Sequence, residues 1–280
     1  MRKIFTMVLI LATTLSLVAC ATSEEFDVES ETRIVVGLEA AYAPFNWATP
    51  TTNNYTVPIS GQPGSYADGF DVVMAQEIAD QLGLELVIKA IDWDGLIPAL
   101  LSGEIDLIIA GMSPTEERAQ TVAFTEEYFR SEQVMVVNSN SDYAEATSLN
   151  DFSGARVVAQ LGTLQNDLIS QINGVIHLDP LKDYPTLTTA LMNQAADAFV
   201  AELPVALGVV QSNPELFTIV SFEGGNGFEA DDEDVAVAIA LRQEDVTLLA
   251  LINDILATIS TEVRNGYMEA ALSRQPQTES

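Results

Sequence analysis

Cysteine and histidine are nearly absent: the 280 residues hold one of each, Cys20 and His177. A lone thiol forms no internal disulfide, and one histidine with one cysteine falls short of the ligand set of a structural zinc site. Basic residues are scarce as well, 11 against 41 acidic, for a formal charge of -30. Such a surface repels phosphate backbones and anionic headgroups, so nucleic acid and anionic lipid surfaces make poor partners. Long apolar runs are missing too. Ile4 to Leu17 is the one uncharged apolar stretch near the N-terminus, and it is shorter than the ~20 residues a membrane span requires.

That stretch follows Arg2 and Lys3 and ends in Leu17-Val18-Ala19-Cys20. A basic start, a short apolar core and small residues before a cysteine resemble a bacterial lipoprotein signal, with Cys20 the lipidated residue. Residues 1–19 are therefore expected to be a removable signal peptide. Residues 20–31, acidic and poor in apolar side chains, read as a flexible tether.

Beyond residue 32 short apolar runs alternate with helical patterns: Ile34–Leu38, Asp71–Leu82, Leu84–Ile88, Leu96–Leu101 and Ile105–Ala110. The alternation predicts an α/β sheet covered by helices. It restarts at Arg156–Ala159, with helices near Asn166–Ile172 and Thr186–Gln194 and a strand at Ala198–Ala201, which implies a second lobe of similar build. Leu96–Gly111 and Leu187–Glu202 also align, with Leu, Ala, Leu, Asp and Ala at equal offsets. The alignment places Gly111 and Glu202 at equivalent strand ends, where open α/β sheets hold ligands. Val235–Leu241 reads as a strand, Val246–Leu272 as helix, and Gln275–Ser280 as a polar tail. His177, on a probable strand, reads as structural. Asp231 to Asp234 lacks the ligand spacing of a calcium loop and reads as a solvated turn.

The chemistry concentrates in Asp106–Arg118. A buried strand stops at Gly111, and Ser113 reads as an N-cap with Pro114 in the first helical position and Glu116 three residues after the cap. Helix N-termini favour anions, and Arg118 adds a planar fork of donors suited to a carboxylate. Gly162-Thr163 repeats the strand–glycine–cap pattern.

With these blocks in hand, the chain resembles the solute-binding proteins of ABC transporters for polar amino acids. The likeness runs from about Ile34 to Leu272 and rests on Val36–Phe45, Gly69–Val72, Asp92–Leu100, Asp106–Arg118, Val122–Phe129 and Gln160–Thr163, in that order. It implies a two-lobed periplasmic-binding-protein type II fold, α/β, each lobe a mostly parallel sheet flanked by helices. Lobe 1 would comprise residues 32–130 and 233–274, lobe 2 residues 131–232, and 275–280 a disordered tail. The hinge would fall near Tyr128–Glu132, with the return near Glu229–Asp234.

The resemblance also implies site residues. Arg118, Ser113 and Thr163 would hold an α-carboxylate, with Gln165 beside them. Glu202 and the Gly111 carbonyl would take the α-ammonium, Glu202 standing where the family usually has the shorter aspartate. Tyr42 and Trp93 would sandwich the side chain, Glu39 would read its end, and Phe45 and Phe124 would be core. The implied function is capture of an amino acid, polar or cationic, and delivery to an ABC permease by a monomeric lipoprotein outside the membrane, with no metal, cofactor or catalytic step. Two other readings stay open on the same residues: a cyclohexadienyl-dehydratase-like enzyme of this fold, recruiting Glu39 or Glu202, and a ligand-sensing ectodomain. The connection Asn46–Asp68 is long, and a loop covering the cleft mouth is expected there.

Overall fold

A computed structural model describes residues 25–231 and 235–276. The signal segment, Cys20, the start of the tether, part of the return crossing and residues 277–280 lie outside the described residues.

Two five-stranded sheets organise the chain. The first has the order Glu85–Ala90, Arg33–Leu38, Leu107–Ile108, Ala240–Leu241, Ala123–Phe124. Its first three strands are parallel, and Ala240–Leu241 runs against both neighbours. The second has the order Ile176–His177, Arg156–Val158, Ala198–Glu202, Gln133–Asn138, Phe217–Val220. It repeats the pattern, three parallel strands and then an antiparallel one. Leu107–Ile108 and Ala198–Glu202 thus hold the same third place in their sheets. That common place is the origin of the equal offsets in sequence.

Central strands of both sheets are apolar on both faces, as strands covered by helices on either side must be. Ile34, Val36 and Leu38 of the first sheet, and Phe199, Val200 and Ala201 of the second, are fully or almost fully buried. The chain leaves the first lobe through Phe129–Arg130 and returns through Ala236–Val237, and these two segments pair antiparallel. The expected return, Glu229–Asp234, ends just before this pair, and residues 232–234 of it lie outside the described residues. The expected strand Val235–Leu241 is two short strands, one in this crossing and one in the first sheet. Val246–Leu272 likewise divides into Val246–Thr258 and Thr261–Arg274, bent by 86°. The cause is local: Ser260 caps the second helix by accepting from the Val263 N–H at 3.4 Å, so a new start competes with continuation.

Three peripheral segments depart from expectation. Phe26, in the tether, is buried and donates its N–H to Asp245 Oδ1 at 2.8 Å, so the tether's end is docked on the fold. Gln275, in the tail, is also buried and donates to the Gly208 carbonyl at 3.2 Å, while the Pro276 carbonyl accepts from Ser212. A Cβ at 208 would lie 2.5 Å from Gln275 Oε1, so the end of this side chain packs directly on the glycine.

The third departure is the long connection. Instead of an open loop it contributes Asn46–Thr49, Val57–Pro58 and Tyr66–Asp68 to a four-stranded sheet with Ala41–Tyr42. Asp68 pairs with Arg274 at 2.8 Å, and the Arg274 guanidinium lies 4.1 Å from the Tyr55 ring centre. The segment braces the last helix, and none of its residues lines the cleft described below. Deleting Thr51–Ser60 is accordingly expected to lower the melting temperature while leaving ligand affinity within twofold of wild type, by calorimetric titration.

Candidate ligand-binding site

The carboxyl ends of the two third-place strands face one cleft. Tyr42, Trp93, Gly111, Ser113 and Arg118 line it from the first lobe, and Gln160, Thr163, Leu164, Gln165, Tyr184 and Glu202 from the second. Every site residue expected from sequence is present except Glu39, which reaches the edge by accepting a hydrogen bond from Gln160 Nε2 at 2.7 Å. Phe45 is fully buried and Phe124 partly buried against the core, away from the lining. His177 lies on an exposed edge strand, 3.0 Å from Asn166 Oδ1 and outside the cleft. Among the described residues no group of His, Cys, Asp and Glu could hold a metal ion.

Gly111 turns the chain with φ +63°, a conformation that only glycine adopts freely. A Cβ there would also meet the Tyr42 ring at 2.6 Å. After this turn the structure corrects the expected cap. The helix is Glu116–Ala119, and its cap is Thr115, whose hydroxyl accepts from the Arg118 N–H. Pro114 belongs to the extended approach, since a proline holds the residue before it out of the helical region. The two acidic residues that favour a helix start, Glu116 and Glu117, follow Thr115 directly. Ser113, released from capping, is buried in the cleft wall. Thr163 does cap its helix, Leu164–Leu168, and donates its hydroxyl to the Gln160 carbonyl at 2.8 Å.

Arg118 spans the lobes. Nη1 donates to the Ser113 carbonyl at 2.9 Å and Nη2 to the Gly162 carbonyl at 3.2 Å. Its guanidinium carbon lies 5.2 Å from the Trp93 ring centre, within cation–π range. Trp93 Nε1 donates to the same Gly162 carbonyl at 3.0 Å. Burial lowers the guanidinium pKa, opposed by the charges of Glu117 and Asp167. Among the described residues no carboxylate forms an ion pair with it.

Glu202 is 2 % exposed, and its Oε2 has no hydrogen-bond partner among the described residues. Burial alone pushes its carboxyl up to about 8. Glu39 is raised to about 7, chiefly by burial and further by Asp183 and Asp92, against the Gln160 hydrogen bond and Lys182. Two acids with raised pKa in one cleft, one of them unpaired, mark a functional site on physical grounds. The arrangement suits a ligand with one anionic group for Arg118 and cationic groups for the two carboxyls.

Sequence reasoning missed Gln160, Leu164 and Tyr184. Gln160 begins the quoted Gln-Leu-Gly-Thr block, but its bond to Glu39 crosses 121 positions and leaves no local signal. Tyr184 follows the cap Asp183 and precedes Pro185, which reads as a helix start and nothing more. In space its ring lies 4.8 Å from that of Tyr42 and extends the aromatic wall.

The lobes meet closely. Besides the contacts of Arg118, Trp93 and Gln160, Lys182 pairs with Asp92 at 3.0 Å across the rim. The cavity left between them is about 10 Å³, room for roughly one water molecule. A cavity of this size admits an amino acid only when the lobes part.

Residues 34–267 match the model of the bacterial extracellular solute-binding proteins, family 3. A probable histidine-binding protein of Campylobacter jejuni is 37 % identical over 233 residues, covering 81 % of this chain and 85 % of the relative. The arginine-binding extracellular protein ArtP of Bacillus subtilis is 27 % identical over 249 residues, 87 % of this chain and 88 % of that one. Among solved structures, an amino acid ABC transporter substrate-binding protein from Streptococcus pneumoniae bound to L-arginine superimposes with a TM-score of 0.76 at 26 % identity. It covers 88 % of this chain and 96 % of its own. Holo ArgBP from T. maritima gives 0.68 at 33 % identity, with 84 % and 95 % covered. The fold is the two-lobed one shared by these proteins, and the chain belongs to family 3 of the bacterial extracellular solute-binding proteins.

Proposed function

We propose that this protein captures an amino acid with a cationic side chain, arginine or histidine, between its lobes and delivers it to an ABC importer. The observation that carries the reading is the buried, unpartnered Glu202 Oε2 in the same cleft as the unpaired guanidinium of Arg118. A zwitterion matches that pair, its carboxylate at Arg118, Ser113 and Thr163 and its ammonium at Glu202 and the Gly111 carbonyl. Glu39, with Gln160 beside it, then meets the side chain, and Tyr42, Tyr184 and Trp93 flank it. A second acid at that end favours a cation and repels aspartate or glutamate. The histidine and arginine that name or occupy the relatives described above support the same choice.

The energetics suffice. A micromolar ligand requires about -8 kcal/mol, and charge-assisted bonds at both ends of a zwitterion, in a cleft that excludes water, are strong enough to supply it. Because residues of both lobes touch the ligand, it stabilises the closed state by its differential affinity. The permease would read that closed form. Lipidation of Cys20 would hold the monomeric protein at the outer face of the membrane, and Cys20→Ser is expected to release it from the membrane fraction.

A thermal-shift screen of the twenty amino acids plus cystine tests the ligand class. L-arginine or L-histidine should raise the melting temperature most. A shift with L-glutamate alone, or with none of them, overturns the proposal.

A further inference from the structure

Behind the cleft wall of the first lobe lies a buried carboxylate that touches no ligand position and no cation. Asp71 is fully buried, in the first turn of the helix Phe70–Leu82. Its Oδ1 accepts from the Tyr128 hydroxyl at 2.7 Å, and its Oδ2 accepts from Asn46 Nδ2 at 2.8 Å. Each arm continues to the main chain. The Tyr128 oxygen accepts from the Gly111 N–H at 3.2 Å, and Asn46 Oδ1 accepts from the Ala40 N–H at 2.7 Å.

The two end points share one property. Gly111 has φ +63° and Ala40 φ +58°, both left-handed. Alanine resists that conformation, so surrounding bonds must impose it. Each turn also adjoins a cleft residue: Gly111 lines the cleft itself, and Ala40 follows Glu39 and precedes the strand that carries Tyr42. Tyr128 further donates its N–H to the Val237 carbonyl at 2.8 Å, which joins the network to the crossing between the lobes.

A carboxylate among Phe70, Phe45 and Tyr128 is a costly choice for packing alone, where an apolar side chain fills the space without desolvation. What it supplies is two acceptors for two donors on opposite sides. We propose that Asp71 is a positioning residue for ligand capture, holding both left-handed turns of the first lobe's cleft wall through Tyr128 and Asn46. This rests on the reading of the cleft as an amino-acid site.

The test measures L-arginine affinity by calorimetry at pH 7.5, alongside the melting temperature and the amide resonances of the ligand-free protein. Asp71→Asn and Tyr128→Phe should each weaken L-arginine binding tenfold or more, and Tyr128→Phe should move the Gly111 amide resonance. The exchange pair Asn46→Asp with Asp71→Asn satisfies every bond with the charge moved one side chain over, and should restore affinity to within threefold of wild type. If Asp71→Asn does not fold, Tyr128→Phe, which removes a single oxygen, decides the matter.

Wild-type affinity in folded Tyr128→Phe, or an unmoved Gly111 amide, overturns the proposal. So does an exchange pair that regains the melting temperature without the affinity. A wild-type protein that ignores L-arginine defeats the ligand reading instead, and the Gly111 and Ala40 amides of the ligand-free variants still report on the network.

Discussion

Arg118→Ala should weaken L-arginine binding by about 2–5 kcal/mol, thirty-fold to several thousand-fold, with little change in melting temperature. Removing one member of a desolvated charge pair leaves the ligand carboxylate without its counter-charge in a site that excludes water. The fold loses little, because Arg118 donates only to the Ser113 and Gly162 carbonyls and its helix has four residues. Arg118→Lys should rescue poorly. An ammonium cannot reach two carbonyls, stack on Trp93 and present a flat pair of donors at once. Calorimetric titration with L-arginine is the measurement, and unchanged affinity in a folded Arg118→Ala protein removes this residue from the site.

The second large effect belongs to Glu202 and depends on pH. Its folded pKa, about 8, lies above the ordinary 4.5. Between those values the folded state holds a proton that the unfolded state has released. Stability of the ligand-free protein therefore falls as pH rises through that window and levels off above it. Glu39 adds the same slope up to about 7 and Asp71 up to about 6. Glu202→Gln should flatten the upper part, from about 7 to 8, which thermal melts across pH will show.

Ligand binding carries the opposite sign. An ammonium favours the ionised carboxylate, so affinity should climb with pH up to about 8, by as much as about tenfold per unit. Binding at pH 6.5 should release close to one proton from Glu202 and a further fraction from Glu39, measurable by titration in two buffers of different ionisation enthalpy. In Glu202→Gln the proton release should fall by about one, leaving the part due to Glu39, and affinity at pH 7.5 should fall by about a hundredfold, ~3 kcal/mol. A flat affinity profile from pH 5.5 to 8.5 would remove the ammonium from Glu202.

Much of this cleft was legible in the sequence because the two lobes repeat one construction. Gly111 and Glu202 could be matched before any coordinates, since each ends the third strand of its sheet. Arg118 and Thr163 were visible through glycine, cap and helix signals that are local. The sequence puts the cap at Ser113, two positions early, because Ser113 and Thr115 carry the same hydroxyl chemistry and the Ser-Pro pattern points to the first of them. Gln160, Tyr184 and the Asp71 network could not be found in this way. The pairings that define them are distant, 25 positions in Asn46–Asp71 and 142 in Tyr42–Tyr184, and no periodicity encodes such pairings. The long connection misled for a related reason. Its strands have two to four residues, too short to alternate visibly among Thr, Asn, Pro and Gly.

The antiparallel rung at the crossing has a further consequence. Arg130 stands opposite Ala236 and Phe129 opposite Val237, so residues 131–235 leave and rejoin the chain at neighbouring points, about 5 Å apart as opposed strand residues are. A segment with adjoining ends can be exchanged through two junctions without rethreading anything else. Chimeras that graft the corresponding segment of a relative onto this rung would exchange Thr163, Gln165 and Glu202 as a block, while Arg118, Trp93 and Glu39 stay with the recipient. Evolution can vary the two jaws of such a clamp separately, and so can a protein engineer.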